Sequence, residues 1–149
     1  MSAFGIEVDA SSVCLFNEPV SKHEALTQLA QAVAAAHDID DSETLIKAIF
    51  EREAVMSTGI GSGVAIPHVR VDVVRMPSVG VGISRVGIDY DTLDNEPVYI
   101  IILFAMPSGS QKEYLGLLAQ VMITMKTPGF TKQLQACSTP EEVAALLNE

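Results

Sequence analysis

Nine consecutive residues, Val98 to Met106 (VYIIILFAM), do most to limit what this chain can fold into. The run shows no alternation of apolar and polar side chains and is rich in branched ones. That is the pattern of a central strand buried on both faces. It is far too short for a membrane helix, which needs roughly 20 apolar residues. A strand covered on both sides needs layers above and below it, and the flanking segments provide them.

Residues 21–39 read as a helix. Ser21 and Glu24 form a capping-box pattern, and Leu26, Leu29, Ala30 and Val33 share a face. Residues 41–56 read as a second helix, with Asp41 or Ser42 as cap and Leu45, Ile46, Ile49 and Phe50 turned inward. A third spans 110–126, with Ser110 and Glu113 as a capping box and Tyr114, Leu117, Leu118, Val121 and Met125 on one face; Gly116 weakens it. Residues 128–136 form a short helix, and 139–148 a last one with Thr139 as cap, Pro140 in its first turn and Glu142 closing the box.

Strands are expected at 11–17, at 64–66, at 78–85, where SVGVGISR alternates with period two, and at 97–106. Asp94-Asn95 marks a turn before the last of these. Helices and strands interleave, so the fold class is α/β: a small mixed β-sheet flanked by helices. No repeat, linker or low-complexity tract divides residues 1–149, which read as one domain.

The formal net charge of −10 argues against a nucleic-acid binder, which holds phosphates with clustered Lys and Arg. The N-terminus lacks the basic segment and apolar core of a secretory signal. Cys14 and Cys137 form no Cys-x-x-Cys pair, so neither a disulfide framework nor a zinc site is expected; two buried thiols in a reducing cytoplasm are.

The chemistry gathers at Ser57–Arg70, STGIGSGVAIPHVR. His68 ends an apolar, strand-like run, and Pro67 pushes Ile66 toward extended geometry. Side chains leaving a sheet at such a point enter loops, where binding and catalytic groups concentrate. A neutral imidazole can act as a nucleophile and carry a covalent intermediate. The glycines at 59, 61 and 63 match neither nucleotide-binding loop pattern. They read either as a turn needing positive φ or as a nest of N–H groups for an anion. Arg52, Arg70 and Arg75 could bring positive charge to the same place, although most arginines are solvated surface. His23 and His37 sit at no metal-ligand spacing and read as helix-surface and helix C-terminal residues, and Ser62 is not in a Gly-x-Ser-x-Gly elbow.

Taken together, FEREAVMSTGIGSGVAIPHVR (50–70) resembles the active-site signature of the enzyme IIA domains of the bacterial phosphoenolpyruvate-dependent phosphotransferase system, in the fructose/mannitol and nitrogen-regulatory class. The similarity continues through residues 87–107, 113–121 and 139–147, which takes in nearly the whole chain. The resemblance implies that family's fold, a mixed sheet flanked by helices. It implies that His68 accepts a phosphoryl group from the small carrier HPr or its nitrogen-branch relative. His68 would then pass the group to a cysteine of an enzyme IIB, or hold it as a regulatory signal, in the cytoplasm. Neither cofactor nor metal is implied. Arg52 matches the arginine assigned to the phosphoryl oxygens. Ser57, Thr58 and Gly61 are secondary candidates for the phosphate neighbourhood, as is the helix start at Gln111.

One departure stands out. Many members carry Glu-His-Leu where this chain has Glu113-Tyr114-Leu115. Tyr114 either hydrogen-bonds near the acceptor or packs its ring on the core. A regulatory binding module switched by phosphorylation is the main alternative to a carrier. A small enzyme using His68 as general base has no partner acid to support it. No IIB or membrane segment follows Glu149 in this sequence, which leads one to expect the nitrogen-regulatory branch without excluding a sugar-specific IIA whose partners are separate chains.

Overall fold

The computed structural model describes residues 4–109 and 111–148. A short 3-10 turn, Ala10–Ser12, leads into β1 (Val13–Phe16). Then come α1 (Lys22–Ala36) and α2 (Ser42–Val55), three short strands β2 (Gly59–Gly61), β3 (Val64–Ala65) and β4 (His68–Arg70), and two long ones, β5 (Ser78–Ile88) and β6 (Val98–Met106). The chain ends in α3 (Gln111–Lys126), α4 (Phe130–Ala136) and α5 (Pro140–Asn148).

The sheet is mixed. Its order is β1-β5-β6-β3-β2, with β4 continuing beside β6 past the end of β3. β6 is the central strand: antiparallel to β5, parallel to β3 and β4. It is buried on both faces, as its uniform apolar run requires. Ile101, Leu103 and Ala105 pack in the core under α1 and α2, while Ile100, Ile102, Phe104 and Met106 pack in the opposite core with Val121, Met125, Leu134, Val143 and Leu147 from α3, α4 and α5.

The alternation in β5 has a steric purpose. Val79, Val81 and Ile83 fill one core, while Gly80 and Gly82 on the other face let α1 lie close to the sheet. A Cβ on Gly80 would sit 2.4 Å from Val33 Cγ2.

Local signals explain the helix limits. Ser21 accepts from the Glu24 N–H and Glu24 accepts from the Ser21 N–H, a complete capping box. α1 ends at Ala36, before the expected 39, because Asp38 adopts φ 55° and the Ile39 N–H turns back to the Ala34 carbonyl, the bond of a Schellman stop. Asp41, and not Ser42, caps α2 through the Thr44 N–H. On α2 only Leu45, Ile49 and Glu53 are fully buried; Ile46 and Phe50 are half-exposed. At α5, Thr139 accepts from the Glu142 N–H while the Glu142 carboxylate accepts from the Ser138 N–H, one residue earlier than a capping box would have it. Ser110, read as the cap of α3, lies outside the described residues. Both cysteines are free, but Cys14 is half-exposed rather than buried.

Candidate active site

Pro67 organises the site. It stands between β3 and β4 with no N–H to give a ladder, and the Ile66 carbonyl before it lies outside both strands. His68 then begins β4, opposite Phe104 of β6. Its Nδ1 lies 2.6 Å from the Ile66 oxygen. A carbonyl oxygen can only accept, so Nδ1 carries the proton and Nε2 is left with a bare lone pair. Burial lowers the affinity of the ring for a second proton, below the ordinary 6.5; the Ile66 carbonyl and Glu53 oppose this, and Arg52 adds to it. The imidazole is therefore neutral at pH 7, with one defined nucleophilic nitrogen.

His68 opens onto a cleft of about 460 Å³ lined also by Arg52, Arg70, Tyr114, Glu51, Ala48, Val69 and Val71. Arg52 comes from the last turn of α2, where its Nη1 donates to the Met56 carbonyl at 2.9 Å. That bond steadies the guanidinium and leaves most of its five N–H donors unused by it. Arg70 stands two residues past His68 on β4, on the same side of the strand. Its guanidinium lies 5.1 Å from the centre of the Tyr114 ring. Tyr114, in the first turn of α3, tilts its ring toward His68, with 5.4 Å between ring centres and 52° between planes. Burial raises the affinity of its phenol for the proton, against the pull of Arg70 and Arg52, so the hydroxyl is neutral near pH 7. The cleft thus presents a neutral nucleophile, two cations, the Glu51 carboxylate and a phenol.

Not every candidate reaches it. Arg75 lines a different cleft, beside His37 and Met76, because a turn closed by the Val74 N–H on the Val71 carbonyl carries the chain away from His68. Gly61 lies at the tip of the β2–β3 hairpin and lines a third cleft with Lys126 and Gly129. Its φ of 90°, with Ser62 at 57° and Gly63 at 80°, forms the hairpin turn. Ser57 and Thr58 lie at the base of that hairpin and do not line the His68 cleft. Ser57 Oγ accepts from the Gly59 N–H. Thr58 is buried; its hydroxyl meets the Tyr90 hydroxyl at 3.0 Å and its N–H donates to Glu53 at 3.3 Å.

Sequence reasoning passed over Glu53, whose buried carboxylate pairs with Lys22 Nζ at 2.9 Å. Its signal was positional: Leu45, Ile49 and Glu53 succeed one another at a spacing of four, which puts a carboxylate on the inward stripe of α2. Among the described residues no group of three or more His, Cys, Asp or Glu could hold a metal ion, and no helix is long and apolar enough to cross a membrane.

The family described as "Phosphoenolpyruvate-dependent sugar phosphotransferase system, EIIA 2" matches residues 8–149. The chain belongs to this family. Both of its branches appear among similar proteins. The fructose-specific EIIA component of Haloferax volcanii is 27% identical over 92% of the chain and 89% of its own length. The nitrogen regulatory protein of Pseudomonas aeruginosa is 31% identical over 81% of the chain and 79% of its own length. Against the fructose-specific EIIABC component of Bacillus subtilis, 27% identical, the chain spans only 21% of the relative's length. In structure it is similar to the nitrogen regulatory protein IIA-Ntr of Neisseria meningitidis, with a TM-score of 0.84 at 25% identity, covering 95% of this chain and 96% of that one. This EIIA chain therefore has the mixed α/β fold of the IIA mannitol and IIA-Ntr proteins.

Proposed function

We propose that His68 of this EIIA chain is the phosphoryl acceptor, with Arg52 as the main charge-stabilising group. The observation that carries the reading is the Nδ1–Ile66 hydrogen bond, which leaves Nε2 bare on a ring that lines a cleft holding two arginines. The Nε2 lone pair attacks phosphorus, a new N–P bond forms, and the bond from phosphorus to the donor's histidine nitrogen breaks. The donor leaves as a neutral imidazole, so no proton has to move. His68 keeps its Nδ1 proton, and the ring gains positive character that the Ile66 carbonyl stabilises. Charge on the transferring oxygens faces the guanidiniums of Arg52 and Arg70, in keeping with a loose phosphoryl-transfer transition state. Tyr114 borders the path of the phosphoryl group and holds Arg70 beside it.

The donor in this reading is a phosphohistidine carrier of the HPr type, in the cytoplasm, and the chain acts as a single carrier domain. The onward acceptor is an enzyme IIB cysteine, whose sulfur takes phosphorus as the N–P bond breaks. A mannitol IIA from Escherichia coli with this fold, 17% identical, has been solved in complex with phosphorylated IIB. The identity to a nitrogen regulatory protein supports a second use, in which the added negative charge sets binding to a regulatory target.

The test is a two-stage transfer of labelled phosphate, from phosphoenolpyruvate through enzyme I and HPr to this chain, then to an added fructose-type IIB. Label that reaches the parent chain and drains to IIB supports the carrier reading. Label that stays while IIB is present supports the regulatory one. No labelling from HPr or its nitrogen-branch relative overturns both.

A further inference from the structure

A chain of contacts runs from the far side of α2 to the His68 ring. Lys22 Nζ of α1 pairs with Glu53 Oε1 of α2 at 2.9 Å, with only 24% and 4% of the two side chains exposed. The same carboxylate oxygen accepts the Thr58 N–H at 3.3 Å. The Thr58 carbonyl accepts the Ile66 N–H at 3.0 Å. The Ile66 carbonyl accepts His68 Nδ1–H at 2.6 Å. Tyr90 closes the assembly from the β5–β6 loop: its hydroxyl is 3.0 Å from Thr58 Oγ1, and Lys22 Nζ stands 4.3 Å from its ring centre.

The geometry points to Glu53, anchored by Lys22, as a positioning residue that fixes the tautomer of His68 through Thr58 and Ile66. This rests on the reading of His68 as acceptor, but the device it describes is a property of the unphosphorylated protein. A buried ion pair is weak evidence for stability, and such pairs are better attested as devices that specify one arrangement. Here the arrangement specified is the base of the glycine hairpin. Held by Glu53, residue 58 pins Ile66 on one side, and Pro67 pins it on the other through its carbonyl, which accepts the Phe104 N–H. The Ile66 carbonyl is thereby aimed at Nδ1. Nitrogen-bound groups are commonly oriented by the hydrogen bond that the other ring nitrogen makes, and the partners behind that bond matter for the same reason. Glu53 itself does not line the cleft and touches no reacting atom. The charged and titratable groups that do face His68 there are Arg52 and Glu51 from α2, Arg70 from its own strand and Tyr114 from α3.

The test is nitrogen-15 NMR of the imidazole rings in the folded, unphosphorylated full chain, alongside the rate of phosphate acceptance from HPr. The parent should show His68 protonated at Nδ1 alone. Glu53→Ala should give a mixture with the Nε2–H form, and slow acceptance about ten- to a hundredfold, by analogy with the loss of an outer hydrogen-bond partner at a metal-bound histidine. Glu53→Gln keeps an oxygen for the Thr58 N–H and should restore the single tautomer. Lys22→Met, at a more exposed position, carries the test if Glu53→Ala fails to fold, and should populate the Nε2–H form to a smaller extent. A single Nδ1–H tautomer in Glu53→Ala or, failing that, in Lys22→Met overturns the inference, even where the melting temperature falls. If the parent accepts no phosphate while its tautomer still responds to these changes, the acceptor reading fails and the positioning device stands.

Discussion

Arg52 offers the sharpest quantitative handle on the site. Its guanidinium donates to the Met56 carbonyl at 2.9 Å and lines the His68 cleft, with no acidic partner among the described ion pairs. Arg52→Ala removes a charged, pre-oriented donor from oxygens that gain charge as phosphorus moves to Nε2. Loss of one such donor costs about 3 kcal/mol of transition-state stabilisation. At 1.36 kcal/mol per tenfold, transfer should slow about a hundredfold. The helix end loses only one exposed hydrogen bond, worth about 1 kcal/mol, so the variant should fold. A second effect runs the other way. The Arg52 charge helps to hold the His68 affinity for protons down, so its removal raises that pKa and moves the acid limb of the rate profile to higher pH. Arg52→Lys keeps the charge without the planar fork and should fall between the two. The assay is single-turnover transfer from phosphorylated HPr at saturating donor, across pH. A loss below about threefold, under 1 kcal/mol, with an unmoved acid limb would refute the assignment of Arg52 to the phosphoryl oxygens.

Because burial lowers the His68 pKa below 6.5, more than half of the acceptor stays neutral at pH 6.5, and transfer there should exceed half its plateau rate. The folded state then binds fewer protons than the unfolded one in this range, so the His68 contribution to stability should fall as pH drops through 6.5 and level off below the folded pKa; titration of the ring C–H by NMR and melting against pH check both halves. Tyr114→His replaces a neutral phenol in contact with both His68 and Arg70, and should change the hydrolytic lifetime of the phosphoryl group at least about threefold, whereas an unchanged lifetime would reduce Tyr114 to a packing ring. Gly80→Ala drives a Cβ to 2.4 Å from Val33 Cγ2 and should cost about 2 kcal/mol, lowering Tm by about 6 °C, with the transfer rate at 25 °C unchanged.

Where the sequence was legible, a local rule and a tertiary role coincided. The VYIIILFAM run predicts a strand buried on both faces because a central strand has no polar side to show, and β6 feeds two separate cores. Ser21 and Glu24 announce the start of α1 because both bonds of the box lie within four residues. The same locality put His68 at a strand boundary through Pro67. The turn reading of the glycines holds at Gly61 and Gly63, but nearness in sequence is a poor guide to the site where the path reverses. The glycines and His68 are neighbours in sequence, yet the β2–β3 hairpin places Gly61 at its tip, and it is Thr58 that bonds back to Ile66. Proximity in sequence groups Arg75 with Arg70, but the turn after β4 separates them. Glu53 stayed hidden for the opposite reason. Its partners Lys22 and Thr58 come from two segments and Tyr90, which meets Thr58, from a third, and only the fold brings them together.

The central claim is that His68 carries the phosphoryl group, and intact-mass spectrometry at neutral to alkaline pH tests it most directly. The chain would be incubated with phosphoenolpyruvate, enzyme I and HPr, beside a His68→Ala control. The account predicts one acid-labile phosphoryl increment on the parent and none on the control. An increment that persists in His68→Ala, or a parent that takes up no phosphate from HPr or its nitrogen-branch relative, would contradict it.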